Sequence, residues 1–304
     1  MEINNAFLQT PSYKDLTSQY KKAIYSKEGL TALQNLYPTS NGIVGNVPFF
    51  WVKNMPAESR KQAIKGLYAD LGKFFSLLRD KIYNPSDLYF EDIETVNKEA
   101  LKEKVQNPET GKFSTFQSML TRILKKYHAI ESGSSVKIDI TGSGGFSCGL
   151  TVTDKKSKKK IFIKLFNNFA FNNDWQGQGP TIEANNNVYI QNNLKTKSDK
   201  KHFPKFYFAD VNNGYYIEEH LDDRGEAVSE KIINENSSGL IEEIKQILEK
   251  ISLADTDKII GNIKSFQTKS GKLLPVLFDC GGIIPLEKFK VIEEKYNTIF
   301  KHWL

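Results

Sequence analysis

Cysteine is almost missing from this chain: Cys148 and Cys280 are the only two, and they lie far apart in sequence. So sparse a pair argues against a disulfide framework and suits a chain working in a reducing cytoplasm. The four histidines, His128, His202, His220 and His302, show no metal-ligand spacing with them, which argues against a zinc site. No run of about eighteen apolar residues occurs, so no transmembrane segment is expected. The opening MEINNAFLQTPSYKDL lacks both a basic region and an apolar core, and no ordinary secretory signal is expected. A long basic block is missing too: the net charge is +6, with lysines spread among carboxylates. That balance permits acidic partners without demanding nucleic acid, and no nucleic-acid partner is expected. What remains is a globular composition. With 304 residues, 39% hydrophobic and 12% aromatic, the chain can bury the core of one large or two modest domains.

Residues 1–131 read as an all-helical N-terminal domain that braces the rest or binds a partner or substrate. TSQYKKAIYSKEGLTALQNLY, PAESRKQAIKGLYADLGKFFSLLRDKIY and FSTFQSMLTRILKKYHAI each place apolar residues at three- and four-residue intervals. In the second, Ile64, Leu67, Leu71, Phe74, Phe75 and Leu78 trace one face, with Pro56 near the start, where a missing N–H does least harm. The segments NLYPTSNGIVGNVPFFW and VQNPETGK read as loops. At ESGSS, residues 131–135, helical period gives way to strand alternation, which places a second domain at 132–304.

That domain opens with VKIDITGSGGFSCGLTVTDKKSKKKIFIKLF, a hairpin with Gly142, Gly144 and Gly145 at its turn, followed by a strand carrying Lys164. Glycine lets backbone N–H groups approach an anion, and an ammonium can hold it. A helix beginning near Pro180 carries Glu183. FPKFYFADV and GYYIEEHL form a second hairpin, SGLIEEIKQILEKISL is amphipathic, and LEKFKVIEEKYNTIFKHW is a closing helix. Between these last two, Asp257 and Asn262 form a D-x-x-x-x-N pair, and Asp279 follows an apolar strand in D-C-G. Oxygen ligands of this kind hold a hard cation, and a free carboxylate can orient an attacking hydroxyl.

The order of glycine loop, strand lysine, helix glutamate, hairpin, helix, D-x-x-x-x-N and D-x-G resembles the protein kinase superfamily, over residues 136–304 in pattern only. The resemblance implies an α+β fold, a protein kinase-like bilobal domain with a reduced C-lobe, and ATP and Mg2+ as cofactors. It implies that Gly142, Gly144 and Phe146, at the loop tip, cover the phosphates. Lys164 would pair with Glu183 and touch them. Glu218, Glu219 and His220 would form the hinge whose backbone meets adenine. Asp257 would be the catalytic-loop carboxylate, and Asn262 and Asp279 the metal ligands. Each residue has a plainer reading: a snorkelling lysine, a first-turn glutamate, a turn or capping aspartate easily confused with Asp255. The cysteines read as small apolar filler.

Several positions depart from the family pattern. The catalytic loop reads D-T-D instead of H-R-D, which removes the arginine that answers a phosphorylated activation loop. Ile259 stands at a usual lysine, and Ser147 at the third loop glycine. Phe162 occupies a usual alanine position and Gly149 a usual valine position, a large-for-small exchange that can conserve volume. Little sequence follows Asp279, so no activation segment with an A-P-E ending is expected. A C-lobe so short resembles the effector kinases of the OspG and NleH type that pathogenic bacteria inject into host cells. On that basis the expected function is Ser/Thr phosphorylation of a host protein, with a possible host activating cofactor. The expected location is the bacterial cytoplasm before export and the host cytoplasm afterwards. Two alternatives stay open: a partner-binding pseudokinase, and a kinase-fold enzyme of another reaction, whether adenylylation or lipid or small-molecule phosphorylation.

Overall fold

The structure is a computed structural model that describes residues 43–45, 47–83, 96–106, 111–144, 146–172, 179–256, 259–291 and 294. The first expected helix, 17–37, lies outside the described residues. Strand β1 (Ile43–Gly45) is followed by the short helix α1 (Phe49–Val52) and the long helix α2 (Arg60–Ile82). The helix begins at Arg60, so Pro56 belongs to the turn ahead of it and not to its first turn. A short hairpin, β2 (Lys104–Gln106) with β3 (Phe113–Thr115), precedes α3 (Phe116–Lys126). Thr115 Oγ1 caps α3 by accepting from the Ser118 N–H at 3.3 Å. The segment expected to be wholly helical therefore contains three short strands. The first of them pairs antiparallel with a strand of the second half, Val44 opposite Ala209, and so covers a sheet edge that would otherwise present unpaired backbone groups.

The main sheet has six strands. Its hairpins are β4 (Val136–Ser143) with β5 (Ser147–Asp154), then β6 (Lys160–Phe166), and β7 (Phe206–Asp210) with β8 (Tyr215–Glu219). The spatial order is β1-β7-β8-β6-β5-β4, all antiparallel. Alternation along β8 sends Tyr215 and Ile217 to one face and Tyr216 and Glu218 to the other. The first face packs on α2 and α3. Phe75 stacks on Tyr215 with ring centroids 4.4 Å apart, and Tyr68 lies 4.9 Å from Phe208. Leu67, Leu71, Leu78, Phe116 and Leu120 share this core with Ile138, Leu150, Ile163 and Ile217, and it runs through Ile130 and Val136 without interruption. The helices are therefore the backing of the sheet.

A second core lies below the sheet. Helices α4 (Asn168–Asn172), α5 (Pro180–Asn193) and α6 (Lys197–Lys200) follow β6, and α7 (Glu230–Glu235) and α8 (Ser237–Glu249) follow β8. Ile190, Leu194, Phe203, Ile244, Ile247 and Leu248 pack there with Ile263, Leu277 and Ile283. These last residues come from β10 (Ile263–Gln267), β11 (Leu273–Leu277) and β12 (Ile283–Pro285), the last pairing with β9 (Leu253–Asp255). Residues 286–291 are helical, the described part of the expected closing helix. The fold is thus α+β, with an antiparallel sheet lobe above a largely helical one.

The last turns of α2 grip the β7–β8 turn. Arg79 Nη1 donates to the Asn213 carbonyl at 2.9 Å and its guanidinium lies 4.2 Å from the centre of the Phe171 ring. Ser76 Oγ donates to Asn213 Oδ1 at 2.9 Å. Gly72 makes this approach possible, since a Cβ there would lie 2.5 Å from Asn213 Nδ2 and 2.9 Å from Asp210 Oδ2. In an exposed helix, glycine to alanine stabilises by about 1 kcal/mol. Here Gly72→Ala is expected to destabilise by about 1–3 kcal/mol, because Asn213 is held by hydrogen bonds and cannot yield. Urea unfolding reads the sign, and a gain in stability would refute the close contact.

Candidate functional site

Cross-strand register assembles the site. In one row Gly142, Gly149, Lys164 and Tyr216 are successive partners across β4, β5, β6 and β8; in the next row Asp139, Thr151, Phe162 and Glu218 are. Directly opposed residues share a face. Lys164, Tyr216, Phe162 and Glu218 thus share a face and line one cleft of about 540 Å3, with Gly142, Gly144, His220, Asn262, Phe278 and Asp279 also on its walls.

At the centre, Lys164 Nζ donates to both Glu183 carboxylate oxygens, each at 2.8 Å, and to Asp279 Oδ2 at 3.1 Å. Glu183 lies in the first turn of α5, which starts at Pro180, where the helix dipole favours a carboxylate. Tyr216 Oη donates to Glu183 Oε2 at 3.0 Å, and the Gly281 N–H donates to Asp279 Oδ1 at 3.0 Å. Asn186, one turn along α5, donates from Nδ2 to the carbonyls of Cys280 at 2.7 Å and Ile283 at 3.0 Å. The helix is thereby tied to the loop that carries Asp279. Burial pulls the Lys164 pKa down, but attraction to Glu183 and Asp279 outweighs it and holds the ammonium above its ordinary value. Burial pushes Glu183 up to about 7 against the pull of Lys164. Burial also raises Asp279, but Lys164 and the Gly281 N–H prevail and keep it below the usual carboxylate value. Burial drives Glu218 well up, with Lys164 opposing and Glu183 and Asp279 reinforcing.

The loop expected to carry catalysis is fixed at both ends. Asp255 pairs with Ile283 across β9 and β12, and Thr256 donates from its N–H and its Oγ1 to the Gly282 carbonyl, at 2.9 and 2.7 Å. Beyond it, the Phe278 N–H donates to the Asn262 carbonyl at 3.0 Å. Asp257 itself lies outside the described residues. Asn262 closes a 3-10 turn at Ile259–Asn262 and faces the cleft with Asp279. An amide oxygen and a carboxylate are hard donors that fit a magnesium ion completing its shell with phosphate and water. Among the described residues, no group of three or more His, Cys, Asp or Glu side chains could hold a metal ion by itself.

Lys164, Asp279, Asn262, Glu218, His220, Gly142 and Gly144 line the cleft, and Glu183 stands behind Lys164, bonded to its ammonium. Phe146 does not line it: from the turn between β4 and β5 it packs, half-buried, against the apolar cluster that holds Phe166, Ala170, Ala184 and Tyr216. Gly145 lies outside the described residues. The neutral His220 ring, its pKa lowered by burial, accepts from the Asp222 N–H through Nδ1 at 3.3 Å, so Nε2–H donates to Thr151 Oγ1 at 2.9 Å. This holds the end of β8 to β5. Cys148 and Cys280 are free and buried. Tyr216, Asn186 and Phe278 were not foreseen from sequence: Tyr216 needed the strand register, Asn186 is one asparagine in a run of three, and Phe278 continues an apolar strand like ordinary core.

A glycine-bearing hairpin, a strand lysine paired with a helix glutamate, and a carboxylate after a buried strand form the two-lobed arrangement expected from the kinase resemblance. No family model matches the sequence, and no curated protein matches it. Among solved structures the chain is similar to the BubR1 kinase domain, at 15% identity and a TM-score of 0.38, over 53% of this chain and 50% of that one. It is also similar to the ROP18 kinase domain solved in complex with AMP-PNP and sucrose, at 12% identity and a TM-score of 0.33, over 81% of this chain and 68% of that one. The chain therefore spans half the length of the first and about two thirds of the second.

Proposed function

We propose that this chain is an ATP- and magnesium-dependent, kinase-like phosphotransferase, and that its substrate is a serine or threonine of a host protein reached by a secreted bacterial effector. The observation that carries the chemistry is the Lys164–Glu183–Asp279 cluster, roofed by the glycine hairpin and faced by Asn262. In this reading Lys164 holds the nucleotide phosphates, Asn262 and Asp279 hold magnesium, and Asp257 orients the substrate hydroxyl. The effector setting, the host target and a host activator rest on the D-T-D that stands where the family pattern has H-R-D.

The test is transfer from labelled ATP, with intact mass of the protein and of candidate substrates as the readout. Asp257→Ala and Asp279→Ala are each expected to lower transfer at least about 10²–10³-fold, the scale for loss of one preorganised electrostatic group. Wild-type-like activity in either variant would overturn the assignment. Label retained from the gamma but not the alpha position separates phosphorylation from adenylylation. A second reading, a partner-binding pseudokinase, draws on Phe162, whose ring stands in the cleft at a usual alanine position. It predicts that ATP with magnesium produces no thermal shift.

A further inference from the structure

We propose that the Glu218 side chain reads an N–H group on the edge of a purine, making it the base-specificity determinant of the cleft. The inference deepens the nucleotide-binding reading and rests on it. Glu218 is 3% exposed. It stands directly opposite Phe162 and, by alternation, on the same face as Tyr216 and Lys164. Its Oε2 is buried with no hydrogen-bond partner among the described residues. The neighbouring carboxylates are all engaged. Glu219 accepts from Arg224 Nε at 3.1 Å, from Arg224 Nη2 at 2.7 Å and from the Lys205 N–H at 2.9 Å. Glu183 is held by Lys164 and Tyr216, and Asp279 by Lys164 and the Gly281 N–H.

A buried oxygen without a partner costs stability, so one that persists at the wall of a cleft is a waiting acceptor. Its position says what it accepts. Phosphate belongs at the Lys164 end, beside the glycine hairpin. Glu218 lies one same-face step further along β8, about 7 Å away, where its partnerless oxygen is placed to accept an N–H from a base. Phe162 and Phe278 line the same cleft, and their flat apolar rings suit a base brought there edge-on to the carboxyl. A backbone-only reading of the base would leave the buried Glu218 oxygen unused.

The experiment measures dissociation constants of the full chain, with magnesium, for ATP, GTP and purine riboside triphosphate, whose base carries no edge N–H. The wild type is expected to bind ATP or GTP at least about tenfold more tightly than the riboside triphosphate, the loss of one good hydrogen bond. In Glu218→Met the preference should fall to within about twofold, while Glu218→Gln, which keeps a carbonyl acceptor, should retain it. The nucleotide-free Glu218→Met protein should also melt higher than the wild type, because an unpaired buried oxygen is gone. Undiminished preference in Glu218→Met, or a Glu218→Met protein that fails to fold, overturns the inference and leaves the nucleotide reading standing. Failure of the wild type to bind any triphosphate overturns both. Whether ATP or GTP is preferred identifies the edge that Glu218 meets.

Discussion

Lys164→Met is expected to abolish phosphoryl transfer and to destabilise the protein by about 3–5 kcal/mol at pH 8, the scale for removing one partner of a buried ion pair. Lys164 Nζ bonds to both Glu183 oxygens and to Asp279, with the Glu218 carboxyl also facing the cleft. Without it, several carboxylates face one partly enclosed space with no counter-charge. The loss should depend on pH in a defined direction. In the wild type Asp279 has a lowered pKa, so its stabilising contribution is present above the ordinary value of 3.8 and fades as pH falls through the folded value. Glu183 is raised to about 7, so its contribution is present below 4.5 and fades as pH rises through about 7. Removing the lysine raises both carboxyls further. A raised carboxyl is tolerated when protonated, so the deficit in Lys164→Met should shrink from pH 8 to pH 5.5. Urea unfolding at the two pH values checks this, and a deficit that grows on acidification would contradict it. Adding Glu183→Gln to Lys164→Met should restore part of the stability at pH 8 without restoring transfer, a non-additive result expected only for groups in contact.

The same cluster shows what a sequence can and cannot reveal. Lys164, Glu183 and Asp279 were legible because each sits at a recognisable boundary: a strand after a glycine hairpin, the first turn of a helix opened by proline, and the end of an apolar run. Those are local patterns, and the distances between them constrain the fold. Tyr216 and Glu218 were not legible as side chains of the site, because their role depends on the pairing of Lys164 with Tyr216 and of Phe162 with Glu218. Register is set between distant segments, and a shift of one residue would turn both to the other face. Asn186 was hidden for a related reason: its partners, the carbonyls of Cys280 and Ile283, lie 94 and 97 residues away. The strands β1, β2 and β3 escaped because three residues are too few to show alternation. Its position in sequence puts Phe146 at the loop tip, but it packs against the apolar cluster that holds Phe166, Ala170 and Tyr216, and such burial of an aromatic side chain outweighs its exposure over the cleft.

Gly149→Val is expected to weaken nucleotide binding at least about 100-fold, equivalent to about 2.7 kcal/mol, and Phe162→Ala in the same chain to restore it. A Cβ on Gly149 would lie 2.6 Å from Phe162 Cε2 and 2.8 Å from Cζ. The Phe162 ring thus fills the space that a side chain on β5 would occupy. A valine there must push the ring aside, and with Thr151 its cross-strand neighbour on β5 and the sheet behind, the free direction is into the cleft toward Glu218. The strain itself should cost about 1–3 kcal/mol of stability. Phe162→Ala alone should bind nucleotide more weakly than the wild type, because the base loses a stacking surface. The double variant rebuilds a branched residue on β5 and a small one on β6, so its affinity and stability should exceed those of Gly149→Val. Additive effects across the four proteins would mean that the two positions do not share space. A strongly positive coupling would mean that the exchange of a small residue on β5 for a large one on β6 preserves the volume of the roof, and that the phenylalanine shapes the base pocket instead of closing it.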